Sequence, residues 1–115
     1  MRKPTLEAAE TVVRNWAANR TQSDRRAVGG RLFLTGSRLI FEPNRFDAVA
    51  GGRPWSVPLT SVRTVGTELP DGKPFSGGLR TRLRLNLVEG KTELFVVNHV
   101  EDVAEVIRQA TGHSA

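Results

Sequence analysis

The stretch Gly30-Arg31-Leu32-Phe33-Leu34-Thr35-Gly36-Ser37-Arg38-Leu39-Ile40-Phe41 sets two short apolar runs on either side of a compact polar pair, Gly36-Ser37. That arrangement predicts a β-hairpin. Side chains alternate across a strand, so Leu32 and Leu34 share one face of the first strand, and Leu39 and Phe41 share one face of the second. This face can enter a core. The other face carries Arg31, Phe33 and Thr35 followed by Arg38 and Ile40, a mixture of basic and large apolar groups that is either covered or a binding surface.

Upstream of the hairpin, Leu6-Glu7-Ala8-Ala9-Glu10 favours helix while Thr11-Val12-Val13 and Trp16 favour strand, so the propensities conflict there. Arg20 to Arg26 reads as a polar connection, and strands are expected at 27–35 and 38–42, ended by Pro43-Asn44. Arg45 to Arg53 reads as a loop, with Phe46 and Val49 its sizeable apolar groups. Strands follow at Trp55–Pro58 and 61–69, and the spacing of Val62 and Val65 breaks alternation and predicts a bulge. Pro70 to Gly78, with two prolines and three glycines, is a second loop, and it carries Phe75. Leu79, Leu83, Leu85 and Leu87 then alternate with Arg80, Arg82, Arg84 and Asn86, which predicts a half-buried strand with a solvated basic row. After a turn at Glu89-Gly90-Lys91 comes a last strand over 92–97. A helix starts at Asn98, whose side chain and Glu101 form a capping box; Val100, Val103, Ala104, Ile107 and Ala110 make its apolar stripe, and Gly112 its stop.

The hairpin resembles that of the GRAM domain, a branch of the pleckstrin-homology-like superfamily, in the pattern Gly-x-Leu-(aromatic)-Leu-Thr-x-x-Arg-Leu-(apolar)-Phe. Gly30, Leu32, Phe33, Leu34, Thr35, Arg38, Leu39, Ile40 and Phe41 match it. Trp55-Ser56-Val57-Pro58-Leu59-Thr60-Ser61-Val62 is similar to the strand that follows that hairpin. The resemblance implies a mainly β fold, a pleckstrin-homology-like β-sandwich or partly open barrel of about seven antiparallel strands plugged by one C-terminal α-helix. It implies one domain over residues 1–115, with a lead-in at 1–10, a first strand ending near Asn19 and the helix at 98–111. Relatives of this type serve as lipid-binding modules, protein-binding adaptors and appendages of enzymes, so fold does not fix function.

A chain of 115 residues can bury one core without staples. Cysteine is absent, which excludes disulfides, thiolate metal ligation and thiol catalysis, and favours a reducing cytoplasmic compartment. No apolar run approaches the ~20 residues of a membrane span, and Met1-Arg2-Lys3-Pro4-Thr5-Leu6-Glu7 lacks the apolar core of a signal peptide. Any membrane contact is therefore expected to be peripheral, at the inner face. The formal charge of +5 favours anionic partners, although 14 arginines among 17 cationic residues are also what a GC-rich, bacterial-type genome would encode.

Catalytic signatures are missing. His99 sits beside Glu101 and Asp102 in the first helical turn, where acids suit the helix dipole, and His113 lies near the chain end. No nucleophile elbow, phosphate loop or dinucleotide fingerprint occurs, so neither enzyme activity, cofactor, metal nor small-molecule substrate is expected. Two binding classes remain. In the first, a protein partner or a second copy meets the face of Arg31, Phe33, Arg38 and Ile40 or the edge of a sheet, with Phe75 as a further contact. In the second, an anionic membrane or phosphoinositide head group meets Arg20, Arg25, Arg26 and Arg31. Four such arginines supply about 4 kcal/mol, a millimolar affinity, so an inserted aromatic such as Phe75 or Phe46, or oligomerisation, would be needed. The protein partner is preferred, because Arg25-Arg26 is followed by Ala27-Val28-Gly29-Gly30 where lipid-binding relatives carry a basic triplet. Nucleic acid is not expected, since the Arg80, Arg82, Arg84 row lacks interleaved aromatics for base stacking.

Overall fold

A computed structural model describes residues 3–23 and 25–112; Met1, Arg2 and His113, named above, lie outside them. Its elements run β1 (Val12–Ser23), β2 (Arg26–Thr35), β3 (Arg38–Pro43), α1 (Arg45–Val49), β4 (Trp55–Pro58), β5 (Val62–Glu68), β6 (Arg82–Leu87), β7 (Thr92–Val97) and α2 (Val100–Thr111). Single 3-10 turns occur at Leu59–Ser61 and Pro74–Ser76. The seven strands form one antiparallel sheet in the order β4-β3-β2-β1-β7-β6-β5, and β4 and β5 remain unpaired edges, so the barrel is not closed.

The hairpin forms as its alternation dictates. Leu32 faces Phe41 and Leu34 faces Leu39 in register, and all four are buried in the core. Thr35, itself buried, closes the Gly36-Ser37 bend: its hydroxyl oxygen accepts from the Ser37 and Arg38 amides at 3.2 and 3.0 Å. Gly30 is demanded by close approach, since a Cβ at this position would overlap the Glu42 carbonyl oxygen across the β2–β3 pair. The bulge expected near Val62 and Val65 appears as a register shift between Val62 and Thr64 against β6.

The core is filled from both halves of the sheet and from α2. Phe95 meets Phe41 at 5.9 Å and Trp55 at 5.5 Å between ring centroids, which joins β7 to β3 and β4 across the sandwich. Val103, Ala104 and Ile107 plug the interior from the helix, and Arg108 Nε donates to the Val65 carbonyl at 3.1 Å on the β5 edge.

Several expectations need correcting. β1 runs past Asn19 to Ser23, so Arg20 to Ser23 belong to a strand, held by pairing to β2 and, at Ala18 to Arg20, to β7. The loop expected over 45–53 opens with helix α1, because the Asn44 side chain accepts from the Asp47 amide at 2.8 Å and caps it. Asn98 does not cap α2. Its side chain instead accepts from Arg80 at 3.2 Å, and His99 takes the position before the helix in the left-handed region, φ 53°, without a side-chain cap. The strand with the leucine alternation starts at Arg82, leaving Leu79 exposed. Its basic row is not a solvated face either: Arg82 is 1% exposed, Arg84 pairs with Glu68 at 3.1 Å, and Arg80 lies before the strand.

Candidate functional site

One end of the sandwich gathers three connections around the β1–β2 turn. On one side stands the segment that begins with α1: Gln22 donates to the Gly51 carbonyl at 3.4 Å and accepts from the Arg53 amide at 3.1 Å. Arg26 donates to the Ala50 carbonyl at 2.6 Å, and its guanidinium lies 3.5 Å from the Asp47 carboxylate. On the other side stands the loop between β5 and β6. Its Ser76 carbonyl accepts from the Thr21 hydroxyl at 2.5 Å and from buried Arg82 at 3.4 Å, while Arg82 also donates to Thr21 Oγ1 and to Asp71 Oδ2, each at 3.1 Å.

These bonds hold two apolar tips in water. Phe46 and Val49 on α1 are 82% and 86% exposed, and Phe75 in the other loop is 75% exposed. Val13, Leu69, Leu79 and Val88 are exposed as well, and single exposures of that kind are ordinary; a contact surface is marked by apolar side chains grouped within a polar rim. Arg25, Arg45 and Arg53 surround the same end, are exposed, and have no ion-pair partner among the described residues.

The arginines expected to hold an anion fare differently from one another. Arg25 is exposed in the turn, its amide donating to the Ser23 hydroxyl at 3.3 Å. Arg20 points inward, its Nε donating to Glu93 at 3.0 Å with the guanidinium 5.7 Å from the Trp55 ring centroid. Arg26 serves α1, as above. Arg31 lies on the outer side of β2 and donates to Asn15 at 2.7 Å. The structure therefore does not bring these four together as one cluster.

The other expected face is covered. Phe33 and Ile40 stand opposite one another in register, and each is 4% exposed. Arg38 ties the lead-in to this side: it donates to the Thr5 carbonyl at 2.8 Å and to both oxygens of Glu10 at 2.8 Å. The Arg38 bonds, with help from the Glu7 backbone and the Thr35 hydroxyl, hold the Glu10 carboxyl well below the usual carboxylate range. A groove of about 380 Å³ remains beside the β4 edge, lined in part by Thr5, Arg38, Ile40 and Trp55. Phe75 lies at the loop end and is separate from this face.

Sequence reading placed Arg45, Asp47, Val49 and Arg53 in a loop and assigned none of them to a site. The spacing of Asn44 and Asp47, a cap residue followed three positions later by an acid, is the signal that would have found α1. Among the described residues no group of three or more His, Asp or Glu is placed to hold a metal ion, and no helix is long and apolar enough to cross a membrane.

No protein-family model matches the sequence, and a search of curated proteins finds no match. Solved structures do match. The C-terminal domain of an unknown protein from Leishmania infantum superposes with a TM-score of 0.70 at 12% identity, covering 90% of this chain and 86% of that one. The Vps36 N-terminal PH domain gives 0.67 at 15% identity, covering 96% and 85%. The chain has the pleckstrin-homology fold. The linker-DH/PH domains of p115-RhoGEF likewise give 0.67 at 14% identity; 92% of this chain is covered, but only 30% of that larger one. In this pleckstrin-homology-like chain the site described above is the end at which the β1–β2 turn, α1 and the β5–β6 loop meet.

Proposed function

We propose that the chain is a non-enzymatic binding module, of GRAM type by its hairpin residues, that docks its loop end peripherally on an anionic membrane surface. The exposure of Phe46 and Phe75 on either side of the Arg25 turn carries this reading, because arginines alone are too weak. Three exposed arginines contribute about 3 kcal/mol near an anionic surface. Burial of two phenylalanine side chains adds about 3–5 kcal/mol, which brings the sum into the micromolar range. The face first favoured for a protein partner offers less, since Phe33 and Ile40 are covered. A protein partner keeps one supporting observation, the groove beside the unpaired β4 edge.

Co-sedimentation with neutral and anionic vesicles tests the proposal. The protein should pellet with anionic vesicles at physiological salt, and the Phe46→Ser/Phe75→Ser variant should stay in solution. Equal pelleting of the two proteins would remove the loop end from consideration and redirect attention to the β4 groove.

A further inference from the structure

Recognition of one phosphorylated head group requires donors that converge on an open place. At this loop end the converging donors already share an acceptor that belongs to the chain. Asp47 Oδ2 accepts from the Gly29 amide at 3.1 Å, and Asp47 Oδ1 lies 3.5 Å from Arg26. Arg26 is further committed to the Ala50 and Asp47 carbonyls at 2.6 and 3.4 Å. The neighbouring backbone donors are engaged as well: the Gly52 amide bonds the Asp47 carbonyl at 2.6 Å, and the Arg53 amide bonds Gln22 at 3.1 Å. A head-group phosphate entering here would have to evict a carboxylate.

The uncommitted charges have the opposite character. Arg25, Arg45 and Arg53 sit at three separate points, in the β1–β2 turn, at the start of α1 and two residues before β4, all exposed on long side chains. Separate exposed cations respond to the mean potential of a surface and not to the geometry of one ligand.

We propose that the loop end reads the charge density of an anionic bilayer and not the phosphate arrangement of any one head group, with Asp47 serving as an internal anion in the cradle of Arg26 and the Gly29 amide. This rests on the membrane-docking reading above and narrows its ligand class.

The test compares phosphatidylcholine vesicles carrying phosphatidylserine, phosphatidylglycerol or a polyphosphorylated inositol lipid, adjusted to equal surface charge, with inositol hexakisphosphate as a soluble head group in a separate titration. The three vesicle types should bind equally, and binding should weaken steeply with salt. The soluble head group should show no saturable binding. The Arg25→Ala/Arg45→Ala/Arg53→Ala variant, its fold checked by circular dichroism, should lose about a hundredfold in affinity on all three alike, about fivefold for each charge. A preference of about tenfold or more for one head group at matched charge, or saturable binding of inositol hexakisphosphate, overturns the charge-density inference while membrane docking stands. Absence of binding to every anionic vesicle overturns the docking reading itself and the inference with it.

Discussion

Arg82 belongs to a row of arginines alternating with leucines, and its sequence neighbours give no reason to single it out. In the folded chain it lies under the β5–β6 loop, bonded to Asp71, Thr21 and the Ser76 carbonyl, with its Nε finding no hydrogen-bond partner among the described residues. A buried cation of this kind is a structural part, since its removal strands several acceptors at once. Arg82→Met should lower unfolding stability by about 2–3 kcal/mol in urea titrations and speed proteolysis within 70–78. Unchanged stability would mean that the loop does not depend on this bond set. Glu10 makes a different case. Its folded-state pKa lies below the ordinary 4.5, chiefly through the Arg38 hydrogen bonds, so its stabilising contribution is complete above that value and is lost as pH falls below it. An acid titration of wild type against Glu10→Gln should therefore show two curves that differ at neutral pH and converge in acid; curves that stay parallel would show that the Glu10–Arg38 bond does not persist in solution. Neither pairing was legible beforehand, because Arg38 and Glu10, like Arg20 and Glu93, meet only through tertiary structure.

At the scale of elements, Gly30 and His99 give opposite predictions. Gly30→Ala forces a methyl group into the Glu42 carbonyl across the hairpin and should cost about 3 kcal/mol or more, or prevent folding; a stable variant would show that β2 and β3 separate readily at this point. His99→Gly removes the strain of a left-handed non-glycine residue ahead of α2 and should raise stability by up to about 1 kcal/mol in thermal melts. The hairpin and β4 were readable because their signals are local: period-two alternation, a two-residue bend, a proline at the end. The start of α2 was misread for an equally physical reason. Asn98 has the chemistry of a cap, but Arg80 engages its side chain, and the turn into the helix falls on His99. The short helix α1 was hidden because five residues carry too little periodicity to register, which leaves the Asn44–Asp47 cap spacing as its signal.

For the whole molecule, the two exposed aromatics should separate function from stability. Neither Phe46 nor Phe75 is part of the core, so the Phe46→Ser/Phe75→Ser variant should melt within a degree or two of wild type while losing vesicle binding. A large drop in melting temperature would instead make them structural. Architecture was the most legible level, since seven strands and a terminal amphipathic helix admit few arrangements. The site was legible in part. Loop aromatics can be picked out from a sequence, but which arginines are spent internally depends on distances that no spacing encodes.

The place of β1 in the sheet also has a bearing on time. The first strand lies in the middle, with β2 along one side and β7, the last strand, along the other, where Ala18 faces Val97. Nascent chain emerging during synthesis can therefore build the β2–β3–β4 meander early, yet the seam that unites the halves must wait until β7 has been translated. Until then one flank of β1 stays open to wrong partners, and substitutions along the β1–β7 seam should slow refolding more than equally destabilising ones within β3 and β4.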